Sequence, residues 1–203
     1  MMAANSLKFL RFQRTAWLMA YRLFIAIELP DSIKDQLVGL RTDISGASWV
    51  KPHGHHLTLR FLGDGIEAAK LEAIKTALTA VKSDPFTMRL QGVGRFPPNP
   101  KLGARVLWVG VSAPPVLNQL YQQIERTVTK LGFPAEGRAF NPHITLARLK
   151  SFKPDQKVDQ FLQKYRNFQS ETIPVSEFHL FSSVLSPQGA TYHTQATFHL
   201  DGS

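Results

Sequence analysis

The sequence contains no cysteine among its 203 residues. This absence excludes disulfides, thiol nucleophiles and cysteine-ligated zinc or iron–sulfur sites. No apolar run approaches the roughly 20 residues that a bilayer-spanning helix requires, so no membrane partner is predicted. The chain also has no Gly-x-x-x-x-Gly-Lys sequence to hold the phosphates of ATP, and we expect no cofactor. Any chemistry must therefore come from ordinary polar side chains.

Acidic residues are scarce relative to basic ones. Fifteen Asp and Glu stand against 24 Lys and Arg, which gives a formal net charge of +9. Such an excess favours a polyanionic partner, nucleic acid before membrane, because attraction to phosphates does not depend on sequence. The start of the chain holds Lys8, Arg11 and Arg14 but no acid. We expect residues 1–20 to form a flexible extension rather than a targeting segment, and residues 21–203 to form one domain.

Apolar periodicity divides the remaining chain into strands and helices. Alternating or β-rich runs predict strands at 21–29, 55–63, 86–95, 105–111, 142–149, 177–185 and 191–200. Helical spacing predicts helices at 31–44, 71–81, 114–131 and 154–165. Several consecutive strands are joined too tightly for parallel crossovers, which need about a dozen residues or more. The pattern predicts an α+β fold with antiparallel sheets and helices packed on one face.

A cluster of histidines precedes the second predicted strand, in the sequence HGHH at 53–56. Such a cluster suggests a metal site, but His53 and His55 would lie on the strand face opposite His56. No nearby carboxylate completes a ligand set. We therefore expect no metal here. The remaining histidines of the C-terminal hairpin, which carry no motif, are expected to be structural or exposed: His179, His193 and His199.

Two predicted strands carry the same motif. HLTLRF at His56 recurs as HITLAR at His143, with His-apolar-Thr-apolar in both. One His-x-Thr is expected by chance in this composition, whereas two copies with apolar residues at the other positions are not. Because strand side chains alternate, His56 shares a face with Thr58, and His143 with Thr145. Two such strands facing each other would surround one cavity with two imidazoles and two hydroxyls.

This set of side chains suits a phosphodiester. Imidazole titrates near neutrality, so one copy can act as a neutral base while the other acts as a protonated acid. A threonine hydroxyl can donate to a non-bridging phosphate oxygen held between them. The motif symmetry does not distinguish the acid from the base.

Strand alternation also nominates substrate-binding neighbours. Arg60 shares the face of His56, where it would neutralise a bound phosphate or pair with an acidic side chain, while Phe61 falls on the opposite face. Phe24 alternates with residues that face the helices, so we expect it in the cleft, where either a nucleobase stacks on it or it packs in a core. Trp108 is a second candidate for such stacking by the same parity.

The paired motifs resemble the two-histidine (2H) phosphoesterase superfamily, and within it the LigT-like RNA 2′,3′-cyclic phosphodiesterases. The resemblance runs from about Arg22 to the C-terminus. It is carried, in the family's order, by RLFIAIELP, WVKP with HLTLRFLG, RVLWVGV, GF with RAFNPHITLAR, and SPQGATY. The sequence departs from the family before His56, where Gly-His stands in place of a common Asn. The resemblance implies two pseudo-twofold lobes around a central cleft.

The resemblance also implies roles. His56 would be the proton donor to O3′ and His143 the proton acceptor that activates water, giving a 2′-phosphate without metal or cofactor. Thr58, Thr145 and Arg148 would bind the substrate, although Arg148 reaches the cleft only if the strand bulges. The implied partner is an RNA end with a 2′,3′-cyclic phosphate. We also predict a cytoplasmic monomer with no obligate protein partner.

Other functions stay open from the sequence. The family can also join RNA ends through a 2′–5′ linkage without ATP, the reverse of the same displacement. The substrate could instead be another small cyclic or 2′–5′-linked nucleotide. A non-catalytic RNA-binding module is the alternative outside enzymes, and two intact motifs argue against it.

Overall fold

The computed structural model describes residues 20–150, 153–187 and 189–202. The strands are β1 (Ala20–Glu28), β2 (Ala47–Trp49), β3 (His56–Glu67), β4 (Phe86–Phe96), β5 (Val106–Ser112), β6 (His143–Leu149), β7 (Ile173–Val175), β8 (Glu177–Ser186) and β9 (Gly189–His199). The helices are α1 (Asp31–Gly39), α2 (Ala68–Leu78), α3 (Pro115–Lys130) and α4 (Gln156–Tyr165), with a 3-10 turn at Pro52–Gly54. The predicted α+β class is confirmed.

The strands form two sheets whose orders correspond. One sheet has the order β3-β1-β8-β9 and the other β2-β6-β5-β4-β7. Without β2, each strand of the first sheet has a counterpart in the second, so β3 matches β6 and β1 matches β5. All the pairings are antiparallel. This correspondence confirms the predicted pseudo-twofold, bilobal arrangement. We call the first sheet with its helices lobe 1 and the second lobe 2.

The helices cover one face of the sheets. Leu23, Ile25 and Ile27 of β1 belong to the main hydrophobic core, together with the buried apolar residues of all four helices described above. The alternate residues Phe24 and Ala26 belong to a separate small cluster on the other face. Burial of each large core side chain contributes about 1.5–3 kcal/mol. β1 therefore has a helix face and a cleft face, as the alternation predicts. Within the described residues, no helix is both long and apolar enough to cross a bilayer.

Several predicted boundaries are wrong. Helix α1 ends at Gly39, yet Ile44 is still buried, because the following loop carries it into the core. Strand β3 continues past the predicted stop at Gly63 and Gly65, since both glycines adopt positive φ angles that other residues rarely reach. Strands β2 and β7 were not predicted, because three residues are too few to show alternation.

The predicted extension at residues 1–20 lies outside the described residues, with one exception. Ala20 is the first residue of β1, where it pairs with Glu67 of β3. Strand β1 therefore begins one residue earlier than predicted.

Candidate active site

The first motif strand, β3, contains a bulge directly after the motif threonine. Thr58 pairs with Ala26 of β1, but the preceding residue of β1, Ile25, pairs with Arg60 and not with Leu59. Leu59 is therefore the extra residue of a β-bulge, which reverses the alternation beyond it.

The second motif strand, β6, contains the same bulge at the same place. Thr145 pairs with Trp108 of β5, and the preceding residue of β5, Leu107, pairs with Ala147. Leu146 is therefore the extra residue. The two lobes repeat the backbone irregularity as well as the motif.

In lobe 1 the bulge corrects two predictions. Arg60 lies on the helix face, not beside His56, and its side chain is only 9% exposed. Its Nε lies 2.8 Å from a carboxylate oxygen of Glu125 on α3, in an ion pair too poorly aligned to be a hydrogen bond. The guanidinium also contacts Glu136 and donates to the carbonyl of Pro134. Arg60 therefore ties β3 to α3 and to the segment of Pro134 and Glu136. It also lines the cavity of His143, but its guanidinium is already paired with these carboxylates and this carbonyl.

The same bulge moves Phe61 to the cleft face, where alternation did not place it. Phe61 pairs with Phe24 across the strands and is 42% exposed. The Arg22 guanidinium lies over the Phe61 ring, 4.4 Å from its centroid. Asp64 holds Arg22 through both carboxylate oxygens, at 2.6 and 2.8 Å. Phe61 is a cleft residue that the sequence missed, and only knowledge of the bulge would have found it.

In lobe 2 the bulge turns Arg148 toward the cleft. Arg148 pairs with Val106, which shares the cleft face of β5 with Trp108. Arg148 was expected in the cleft only if its strand bulged, and β6 does bulge at Leu146. The positive charge of Arg148 is near enough to contribute to lowering the pKa of His56, in the other lobe. The charge of Arg148 in one lobe therefore acts on the histidine of the other.

The ring of His143 is held by a backbone carbonyl two residues earlier. Nδ1 of His143 lies 2.7 Å from the carbonyl oxygen of Asn141. At the same spacing before His56, the backbone of Gly54 acts to raise the pKa of that histidine, against the larger effect of desolvation. Because a carbonyl can only accept, Nδ1 of His143 carries the proton, which leaves Nε2 of the neutral ring as the acceptor. This arrangement fixes the tautomer of His143 and orients its ring.

His56 is enclosed by aromatic rings. Phe24 stacks on it with ring centroids 4.8 Å apart, Tyr192 meets it edge-on at 5.3 Å, and Phe181 packs on Phe24. Desolvation, followed by the charge of His55, lowers the pKa of His56 to about 4. Tyr192, known from the sequence only as the end of SPQGATY, has its pKa raised by desolvation and so keeps its hydroxyl proton.

Phe24 lies on the predicted cleft face, but its ring is not free for a nucleobase. It is only 5% exposed, because His56, Phe181 and Tyr192 cover it. This enclosure favours the second alternative, that Phe24 packs in a small core. Its ring instead desolvates His56.

His143 opens onto a large cavity. A cavity of about 670 Å³ is lined by His143 together with Thr58 of the opposite lobe. Phe96 meets the His143 ring edge-on at 5.1 Å, and Trp108 lies tilted against it at 6.3 Å. A second, much smaller pocket of about 20 Å³ lies beside His56. The structure therefore brings the two motif strands together around a shared cleft, with most of the open space on the side of His143.

The HGHH cluster does not assemble a metal site. His55 is 2% exposed, and burial together with the charges of Arg41 and Lys34 lowers its pKa to about 4. Within the described ranges, no group of three or more His, Asp or Glu residues could hold a metal ion. His179 is buried with Nδ1 at 3.0 Å from the Thr197 hydroxyl, which is a structural contact.

Comparison with known proteins supports the fold and the duplication. The sequence profile of the family described as LigT like Phosphoesterase matches residues 27–108 and again residues 109–192, once for each half. A fold with two motif-bearing lobes around a cleft is that of a 2H phosphoesterase. The chain belongs to the LigT-like phosphoesterase family.

Individual relatives cover nearly the whole chain. It is 34% identical to the RNA 2′,3′-cyclic phosphodiesterase of Archaeoglobus fulgidus, over 87% of this chain and 99% of that protein. It is 33% identical to the protein of the same name from Aquifex aeolicus, over 89% and 98%. Among solved structures, Escherichia coli LigT complexed with 3′-AMP matches with a TM-score of 0.71 and 27% identity, over 90% of this chain and 99% of that one.

Proposed function

We propose that this protein hydrolyses the 2′,3′-cyclic phosphate ends of RNA to 2′-phosphates by metal-independent acid–base catalysis. The observation that carries the proposal is the repeated, identically bulged His-x-Thr strand, which puts Thr58 of one lobe and His143 of the other on one cavity. Relatives that match nearly their full length are named RNA 2′,3′-cyclic phosphodiesterases.

The reaction is an in-line displacement at phosphorus. Water attacks the phosphorus as one imidazole takes its proton, and the P–O3′ bond breaks as the other imidazole protonates O3′. The hydroxyl groups of Thr58 and Thr145 donate hydrogen bonds to the non-bridging oxygens and keep their protons. Arg148, on the cleft face of β6, supplies a positive charge to the phosphoryl oxygens as they gain charge.

The two proton-transfer roles follow from the resemblance: His56 donates to O3′ and His143 accepts from water. In the free protein the pKa of about 4 keeps His56 neutral near pH 7, so the donor role requires substrate to raise that pKa. A bound cyclic phosphate is an anion that stabilises the imidazolium and offsets the charge of Arg148. If His56 is the donor, the pH profile of kcat, which reports the enzyme–substrate complex, should have an alkaline limb that His56→Ala abolishes. Loss of an acidic limb in that variant would exchange the two roles.

The assay that tests the proposal uses a short RNA ending in a 2′,3′-cyclic phosphate, with EDTA present. We expect turnover to a 2′-phosphate that EDTA leaves unchanged. Loss of activity in EDTA, restored by zinc or manganese, would contradict the metal-free mechanism. A 2′–5′-linked dinucleotide and a small cyclic nucleotide in the same assay test the competing substrates.

The same two histidines also allow the displacement with another nucleophile. A 5′-hydroxyl of a second RNA end would replace water: one imidazole takes its proton, the P–O5′ bond forms, and the P–O3′ bond breaks as the other imidazole protonates O3′, which gives a 2′–5′ linkage without ATP. Because only the nucleophile differs from hydrolysis, we expect slow ligation when RNA ends are concentrated. Its absence under conditions of rapid hydrolysis would mean that the second RNA end is not held for attack.

A further inference from the structure

Phe61 is exposed in a way that its role in the fold does not explain. At 42% exposure, it is the single aromatic among the exposed large apolar side chains of the residues that the structure describes. The Arg22 guanidinium covers it at 4.4 Å, and Arg22 is itself fixed by Asp64. A ring held in place by a neighbouring cation and still open to solvent is suited to stacking.

The cavity that Phe61 enters has the composition of a single-stranded nucleic acid site. Besides His143 it is lined by the rings of Phe61, Tyr121 and Phe140 and by the side chain of Arg138. Tyr121 and Phe140 stack at 4.1 Å with nearly parallel planes, at 6°. Aromatic faces with interspersed cations bind single-stranded nucleic acids by stacking and by neutralising the backbone. The volume of about 670 Å³ extends the site beyond the phosphate-binding histidines.

The duplication places Phe61 at a defined position. Phe61 and Arg148 stand at the same distance after their motif histidines, and in each lobe the bulge turns that position into the cleft. Arg148 acts on His56 of the opposite lobe, while Phe61 lines the cavity of His143 in the opposite lobe. One lobe therefore presents a cation at this position, suited to a phosphate, and the other presents a ring, suited to a base.

We propose that Phe61 stacks on the base of the nucleotide 5′ to the cyclic phosphate, with Arg138 close to the phosphate that joins the two nucleotides. The substrate class is then an RNA end of at least two nucleotides, preferred over a mononucleoside 2′,3′-cyclic phosphate. The inference rests on the proposed function, because it extends the substrate of the same cleft. Stacking on one base should change kcat/KM roughly 10- to 100-fold.

The test compares three substrates: a mononucleoside 2′,3′-cyclic phosphate, the dinucleotide that ends in it, and the same dinucleotide with an abasic 5′ residue. The wild-type protein should favour the full dinucleotide by roughly 10- to 100-fold in kcat/KM over the other two. Phe61→Leu should remove most of that preference, and Phe61→Trp should retain it. Tyr165→Leu is the matched control, because Tyr165 is also an aromatic ring under a cation, Lys164, but lies on α4. We expect the control to keep the full preference.

Each result separates this inference from the proposed function. Equal kcat/KM for the mononucleotide and the dinucleotide would overturn the inference and leave the proposed function standing. An abasic dinucleotide as good as the full one would show that the phosphate, not the base, is recognised. A preference that survives in Phe61→Leu would remove Phe61 from the site. Absence of turnover on all three substrates would overturn the proposed function, and this inference with it.

Discussion

The two motif histidines stand on the same backbone in different surroundings. Each lies on the corresponding strand of its sheet and precedes the same bulge. His56 is packed among Phe24, Phe181 and Tyr192 beside a pocket of about 20 Å³, whereas His143 opens onto about 670 Å³. The repeated backbone positions two equivalent groups, and the unrepeated neighbours enclose one ring among aromatic side chains and leave the other on a large cavity.

The difference between the lobes can be traced to the strands beside the motifs. Ala26 lies next to Thr58, while its counterpart next to Thr145 is Trp108. Glu28 pairs with His56, and its carboxylate opposes the lowering of the histidine pKa. The counterpart of Glu28, beside His143, is a glycine, Gly110. An acid and a base need different proton affinities. Different neighbours beside two equivalently placed histidines can supply that difference.

The largest expected effect comes from removing either histidine. His56→Ala and His143→Ala should each lower kcat by about 10²–10⁴, the usual contribution of a positioned acid or base. The double variant should be far less than multiplicatively worse, because the two groups act in one displacement. Single-turnover rates on an RNA cyclic phosphate measure this, with His193→Ala, an exposed histidine of β9, as the control. Near-wild-type turnover in either single variant would falsify the paired mechanism.

The next prediction separates the two arginines of the motif strands. Arg60→Met leaves the carboxylate of Glu125 buried without its partner, so the free energy of unfolding should fall by about 3–5 kcal/mol. Arg148→Met removes an exposed side chain and should leave that free energy within about 0.5 kcal/mol. It should instead lower kcat/KM by roughly 10- to 100-fold, through loss of a charged hydrogen bond to phosphate. Urea denaturation and kinetics on both variants make the comparison, and a stable Arg60→Met with a catalytic defect would reverse these roles.

These arginines also show what the sequence can and cannot specify. The repeated motif, together with the family resemblance that it carries, predicted the two lobes, because a matching His-x-Thr is visible in the sequence. The bulge is not visible, because Leu59 and Leu146 are ordinary strand residues whose extra position is set by pairing with a neighbouring strand. Strict alternation beyond Leu59 therefore misplaced Arg60 and Phe61, whereas Arg148 was expected in the cleft only if its strand bulged. The enclosure of Phe24 was also invisible, because β8 and β9, far along the chain, supply Phe181 and Tyr192.

A smaller effect should appear in the pH dependence of stability. The folded-state pKa of both His55 and His56 lies near 4, below the ordinary value of 6.5. Below pH 6.5 the unfolded chain binds protons that the folded protein does not, so stability is complete above 6.5 and is lost as pH falls toward 4. For the buried His55 alone the loss is on the order of 3 kcal/mol. Melting temperatures from pH 7 to pH 4 measure it. His55→Asn should flatten part of this slope, and an unchanged slope would mean that His55 titrates normally.

The smallest expected effect tests how Trp108 is held against His143. A Cβ at Gly94 would lie 2.1–2.5 Å from the Trp108 indole, so Gly94→Ala must displace the ring from its place beside His143. Such overpacking costs about 1–3 kcal/mol of stability. The moved indole should also lower kcat on the RNA cyclic phosphate, because it no longer supports the ring that exchanges protons with water. Gly137→Ala is the matched control, since a Cβ there meets no atom within 4 Å. Lobe 1 has Ala26 at the position of Trp108, so no equivalent variant beside Thr58 should produce this clash. If Gly94→Ala melts and turns over like Gly137→Ala, Trp108 does not position His143, and the difference between the lobes must come from the cavity alone.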